Sequence, residues 1–196
     1  MPTGVAIRDA RTQLFDAAER ILLREGPSGL TSRAVTGEAG VAKGVLHRHF
    51  SDFDGFLAEL VEDRILRIEA RGVALLEAAG SATVAENLSE ALTTVFETVA
   101  VAIVSLITFR DDLQTRLRAR RPGGVPMLAE ASTVVAAYLS AERETGRLSA
   151  AADIDTLAPT LIGAAHLLFA DRTAARPEPE AVRRVVLTVI TGALTA

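Results

Sequence analysis

Apolar residues recur along this chain at steps of three, four and seven, and no stretch alternates apolar with polar at period two. No Asn-Gly or Asp-Gly pair marks a hairpin. The pattern predicts an all-α fold of about nine helices. Ile7, Leu14, Ala18, Ile21 and Leu22 form the stripe of a first helix over 7–25, stopped by Gly26-Pro27. Thr31 precedes a short run over 32–39 and suits its cap; Gly40 ends that run. A third run over 42–49 follows at once, and two short helices joined by a tight glycine turn are the helix-turn-helix signature. From Ser51-Asp52 a long strut is predicted to residue 79, carried by Leu57, Leu60, Val61, Ile65, Ile68, Leu75 and Leu76. Gly80-Ser81 breaks it, and Thr83 with Glu86 is a capping box for one central helix over 84–106. Residues 110–121 read as a charged helix or turn, and 122–126 as the clearest loop. Further helices are predicted over 127–145, over 154–172 with Asp153 or Asp155 as cap and Pro159 in the first turn, and over 180–194.

Composition narrows the chemistry. The chain has 196 residues, 49% of them hydrophobic, enough for a real core. Its lack of cysteine excludes disulfides, thiolate metal sites and cysteine nucleophiles. Three histidines, His47, His49 and His166, make a His-rich metal site improbable, and no metal or cofactor is expected. The net charge of −4 rules out a uniformly basic coat, but residues 1–50 carry seven Lys/Arg against five Asp/Glu. Only this front end favours a polyanion. Met1 to Ala10 lacks the apolar core of a signal peptide, and the twelve uncharged residues 98–109 are too few to span a bilayer. A cytoplasmic protein without a membrane role is the expectation.

A helix-turn-helix lays its second helix in the major groove, with N-terminal side chains toward base edges. Here Leu46 and Phe50 lie four apart and are expected to face the core. That leaves Lys43, Val45, His47, Arg48 and His49 exposed, as groups suited to phosphates, base edges and thymine methyls. A solvated helical hairpin in an all-α domain is the competing reading.

The stretch Gly29-Leu30-Thr31-Ser32-Arg33-Ala34-Val35, then Ala39-Gly40-Val41-Ala42-Lys43-Gly44-Val45-Leu46-His47-Arg48-His49-Phe50, resembles the DNA-binding module of TetR-family transcriptional regulators. Ala17 to Leu22 with Gly26 fits that family's first helix, and Ser51 to Leu57 the start of its fourth. The resemblance implies a three-helix head, residues 1–52, on a helical effector-binding and dimerisation body, residues 53–196. It implies a homodimer on a near-palindromic double-stranded DNA operator, with repression relieved by a small-molecule effector. Carried over by position, Thr31, Ser32, Arg33, Lys43, Gly44, Val45, His47, Arg48 and His49 would form the DNA-binding surface. Three residues depart from the family pattern. Ala42 stands where Ser or Thr is common, removing a cap worth ~1 kcal/mol. His47 replaces the usual Tyr. Phe53 replaces a typical Lys, either losing a phosphate contact or serving as a core anchor.

The body's apolar helices are expected to enclose a pocket for a mostly hydrophobic effector. Its expected wall is Ile68, Phe96, Ile103, Phe109, Met127, Val134 and Tyr138, with Thr133, His166, Ser105 and Thr108 as orienting polar groups; plain core packing is the competing reading of each. The last two helices carry Leu161, Ala165, Leu168, Phe169, Val182, Val185, Val186, Val189 and Ile190, which would either pair with a second copy in a four-helix bundle or close the protomer's own core. Arg116, Arg118, Arg120 and Arg121 read as a solvated face. No GxSxG, Walker A, HExxH or GxGxxG motif occurs, and the acidic pairs sit at helix ends. A regulator rather than an enzyme follows, with an all-α small-molecule binder or enzyme lacking a DNA role as the alternative.

Overall fold

Ten α-helices follow one another through the residues that the computed structural model describes, 10–171 and 175–195. They are α1 (Ala10–Glu25), α2 (Ser32–Glu38), α3 (Gly44–His49), α4 (Phe53–Glu77), α5 (Val84–Phe96), α6 (Ala100–Phe109), α7 (Asp111–Arg120), α8 (Leu128–Glu144), α9 (Ile154–Phe169) and α10 (Pro179–Ile190). No strand occurs among the described residues beyond a single bridge between Leu148 and Leu194. Ile7 and Arg172, at two expected helix ends, lie outside the described residues.

Four of the ten helices, α2, α4, α5 and α9, begin where a side chain satisfies free amides. The Thr31 hydroxyl accepts from the Ala34 N–H at 3.1 Å, the Asp52 carboxylate from Gly55 at 2.7 Å, and Asp153, not Asp155, from Thr156 at 3.2 Å. Thr83 and Glu86 form the reciprocal capping box at α5. The single helix expected over 84–106 is instead two, α5 and α6, bent by 57°. No glycine or proline marks the break. The Thr98 hydroxyl donates to the Val95 carbonyl at 2.8 Å and accepts from the Ala100 N–H at 3.4 Å, competing with the helical ladder in a run of β-branched residues. Among the described residues no single helix is long and apolar enough to cross a membrane.

One contiguous apolar core runs through head and body. In the head, Leu46 and Phe50 face inward as expected, and α3 rests on α1, α2 and α4. The buried guanidinium of Arg64, on α4, is held by Asp16 and Glu19 of α1 and by neighbouring Asp63. In the body α8 packs on α4 and α9, and α10 on α5 and α9. Arg116, Arg118 and Arg120 are exposed, as a solvated face requires, and Arg121 is half-buried, but the run is not free of partners. Arg116 pairs with Asp52 at 2.8 Å, and Arg121 with Glu62 at 2.9 Å and Glu69 at 2.8 Å, so two of the four bind α7 to α4. Arg110 adds a third pair, with Asp54 at 2.7 Å. Met127, just before α8, has a left-handed φ of 73°, a strain of about 1–3 kcal/mol; its N–H donates to Glu130 at 2.7 Å.

Gly72 fixes how closely α4 and α8 approach. A Cβ there would lie 2.7 Å from one Val134 methyl and 2.8 Å from the other. Glycine in a helix interior is about 1 kcal/mol worse than alanine, so only this contact favours it. Gly72→Ala is therefore expected to lower the thermal midpoint despite its better helix propensity. Adding Val134→Ala should recover at least half of the loss in thermal melts. A Gly72→Ala protein more stable than the parent would show that the helices separate freely.

Candidate nucleic-acid interface and effector cavity

The turn between α2 and α3 passes through Gly40, whose φ of 67° suits a residue without a Cβ. It turns α3 across α2 and presents one face of the pair outward. Thr31, Arg33, Lys43, Gly44, His47, Arg48 and His49 are exposed there, and Ser32 is half-buried. Val45 is not among them. It is buried at 8% exposure, because α3 is cradled by three helices and its inward arc is wider than one stripe. Thr31 has its hydroxyl committed as the α2 cap. Lys43 occupies the position before α3 and makes no side-chain cap bond, as Ala42 in place of Ser or Thr leads one to expect. Phe53 is an anchor: its ring stacks on Phe56 at 5.7 Å with the Arg110 guanidinium 5.6 Å above it.

Charge on the head is sorted by face. Arg11 pairs with Glu59; Arg20 meets Glu38 at 2.7 Å and Arg24 meets it at 3.0 Å. These two guanidinium groups hold the Glu38 carboxyl below its ordinary range. Asp16 and Glu19 turn to Arg64. The side chains of Arg33, Lys43 and Arg48 make no ion pair or hydrogen bond among the described residues. The α2–α3 face thus keeps three uncommitted cations while the acids around it are neutralised.

A second feature lies in the body. A cavity of about 340 Å³ opens between α4, α5, α8 and α9. Of the residues expected to line it, Ile68 and Val134 do. Ile103 is fully buried in α6, and Phe109 is 81% exposed at its end. Phe96 borders a separate cleft with Phe169; Met127 lies in a small hollow beside Arg64; Thr133 is exposed at a third depression, among Ala152, Asp153 and Asp155. Ser105, Thr108 and Thr133 return their hydroxyls to carbonyls of their own helices, at 3.0, 2.9 and 3.1 Å, and so present no free donor to a ligand. His166 stands beside Phe96 at 6.0 Å, its Nδ1 buried without a partner, and burial lowers its pKa, favouring the neutral ring. Tyr138 is buried behind the wall: its hydroxyl donates to Glu142 and accepts from the Asn87 amide at 3.0 Å.

Sequence reasoning missed Arg71, Gly72, Leu75, Asn87, Glu90 and Leu92, which line the cavity. Two carried a signal, a glycine inside a helical stripe and an asparagine inside an apolar helix. Among the described residues no cluster of His, Asp and Glu could hold a metal. Of the residues expected to meet a second copy, Leu161, Ala165, Val182, Val186 and Ile190 are buried in the protomer's own core and have no surface to offer. The α9 and α10 stripes are turned toward α5 and α8, which accounts for that burial. Leu168, Phe169, Val185 and Val189 stay partly exposed, and Leu167, beside them, is 76% exposed.

Residues 14–60 match the sequence profile described as bacterial regulatory proteins, tetR family. The chain is 35% identical over 78 residues to the HTH-type transcriptional regulator PksA of Bacillus subtilis, an alignment covering 36% of this chain and 38% of that relative. The chain thus spans well under two thirds of the relative it matches. Its backbone is similar to a transcriptional regulator from Rhodococcus sp. Rha1, with a TM-score of 0.71 at 19% identity over 95% of this chain and 99% of that one. It is likewise similar to FadR from Bacillus subtilis, solved in complex with stearoyl-CoA, with a TM-score of 0.69 at 16% identity, covering 92% and 98%. A third similar structure is SmeT, repressor of a Stenotrophomonas maltophilia multidrug efflux pump, with a TM-score of 0.65 at 16% identity, covering 96% and 92%. At these identities the structural likeness is one of fold.

Proposed function

We propose that this chain is a TetR-family transcriptional regulator and, within that family, a repressor. Its head, residues 1–52, holds operator DNA. Its body, residues 53–196, releases that DNA when a small, mostly hydrophobic effector enters the cavity between α4, α5, α8 and α9. The observation that carries this reading is the set of uncommitted cations Arg33, Lys43 and Arg48 on one exposed face, in a head whose other described arginines are paired. Thr31, Ser32 and Arg33 meet the backbone beside the groove; Lys43, Gly44, His47, Arg48 and His49 enter it. Val45 supports α3 from below and reads nothing. The active species is a homodimer whose heads reach half-sites of a near-palindrome roughly 34–36 Å apart. The partly exposed Leu167, Leu168, Phe169, Val185 and Val189 belong to the face that meets the second copy. Because α4 is capped at the head by Asp52 and carries Ile68 at the cavity, a ligand that shifts α4 changes the separation of the heads.

Fluorescence anisotropy with the DNA upstream of the chain's own gene, across a salt series, tests this. Arg48→Ala and Lys43→Ala should each weaken binding about tenfold and flatten the log–log salt slope by about one, with helicity unchanged by circular dichroism. Unaltered DNA affinity in both variants would remove α3 as the reading helix. A ligand that binds the body and leaves DNA affinity untouched would favour the alternative, a small-molecule carrier.

A further inference from the structure

The cavity is aliphatic on its apolar walls. Ile68 and Leu75 come from α4, Leu92 from α5, Val134 and Val135 from α8, and Ile162 from α9, and among the described residues no aromatic ring lines it. A planar aromatic ligand would find nothing to stack on, whereas a flexible saturated chain can follow such a wall.

The polar groups are unevenly placed. Asn87 is buried in the wall, and its amide nitrogen donates to the Ala78 carbonyl at 3.1 Å and to the Tyr138 hydroxyl at 3.0 Å. A carbonyl can only accept, so nitrogen and not oxygen faces Ala78. Both amide hydrogens are thereby used, and what Asn87 has left for a ligand is its carbonyl oxygen. Glu90 follows three residues later, on the same side of α5. It is exposed at the rim of the cavity and has no ion pair among the described residues. Arg71, across the rim on α4, donates to the Thr94 carbonyl at 3.3 Å and forms no ion pair with Glu90. The α5 side therefore offers two acceptors in succession, one neutral and one anionic. A ligand meets both by bringing donors, and a positive charge on it would also pair with Glu90.

We propose that the ligand of this cavity is an aliphatic amine, its ammonium group donating to the Asn87 carbonyl and the Glu90 carboxylate and its chain lying between Ile68, Leu75, Leu92 and Val134. At roughly 30 Å³ for each water-sized group, the cavity volume holds about eleven non-hydrogen atoms, the size of decylamine. This rests on the reading of the cavity as the effector site.

The test compares decylamine, 1-decanol and decanoate below their aggregation limits, by calorimetric titration of the full chain and of Glu90→Gln and Arg71→Gln. Decylamine should bind at least tenfold more tightly than decanol, and Glu90→Gln should remove most of that advantage while leaving decanol unchanged. Arg71→Gln should leave decylamine binding within a factor of about three, since one long bond to Thr94 is all that Arg71 contributes to the wall. Decanoate binding best, and lost in Arg71→Gln, would overturn the proposal; so would equal binding of all three, or binding of none. Addition of decylamine to the operator complex separates this inference from the reading beneath it. Glu90-dependent binding without DNA release would support the amine and refute the effector role, whereas DNA release by a compound without an amine, blocked by Leu92→Trp, would support the effector role and refute the amine.

Discussion

Phe56→Ala is expected to destabilise the protein by about 3–5 kcal/mol and to cost more DNA affinity than any single change on the exposed face. Phe56 is fully buried in the second turn of α4. Its ring lies 5.6 Å from Phe15 of α1, 5.0 Å from Phe50 at the end of α3, edge-on, and 5.7 Å from Phe53. Phe50 is in turn covered by the Arg11 guanidinium at 4.7 Å. These rings join the helix that would enter the groove to the helix that runs back to the cavity. Truncating Phe56 removes apolar burial and leaves a void that three rings from three directions cannot close together. Urea unfolding should show a lower midpoint, and anisotropy should show weakened binding even where the variant remains folded, because α3 has lost its seat. Phe56→Leu should retain more than half of the stability. A Phe56→Ala protein within about 1 kcal/mol of the parent would mean that the head is held by the Arg64 cluster and not by these rings.

What could be read from the chain before its structure follows the range of the interactions involved. Helix starts at Thr31, Thr83 and Asp153 were legible because a cap and the amide it satisfies lie within three residues. The helix-turn-helix was legible for the same reason, with Gly40 and Leu46 marking turn and core side. Val45 was misplaced because its burial depends on α1, α2 and α4 closing around α3 together. The break at Thr98 was hidden because a hydroxyl turned back on its own backbone leaves no mark in hydrophobic spacing. The arginines of α7 looked like a free charged run because their partners, Asp52, Glu62 and Glu69, stand more than fifty residues earlier. The cavity was the least legible part. Four helices contribute to it, and which face of each is left uncovered depends on packing details such as the Gly72–Val134 approach. Ile68 and Val134 were found since α4 and α8 meet there. Phe96, Ile103 and Tyr138 are buried in the packed core, and side chains of that bulk fill space that a ligand would need.

Glu142→Ala should cause the second large loss, about 2–4 kcal/mol, although Glu142 is far from the head. Its side chain is wholly buried in α8. One oxygen accepts from the Tyr138 hydroxyl; the other accepts from the Gly80 N–H at 3.3 Å and lies 3.4 Å from Arg147. Arg147 also donates to the carbonyls of Ser81 and Ala82, so this carboxylate ties the turn between α4 and α5 to α8. Alanine would strand a buried phenol and a backbone amide beside a new void. Arg147 is 27% exposed and can turn to water, which keeps the loss below that of a fully buried pair. Glu142→Gln keeps an acceptor for Tyr138 and should lose less than half as much. The same cluster sets an alkaline limit. Burial first, and then the hydrogen bond to Glu142, raise the Tyr138 pKa above its ordinary value. The folded state therefore retains the phenol proton more firmly than the unfolded chain does, so the stabilisation is complete below about pH 10 and declines as pH rises beyond it. Between about pH 9.5 and about pH 11.5 the urea midpoint of the parent should fall, while that of Tyr138→Phe, lower at the outset, should fall less. Equal slopes in the two proteins would mean that the phenol ionises without opening the α8 cluster, and that the turn at Gly80 is held by Arg147 alone.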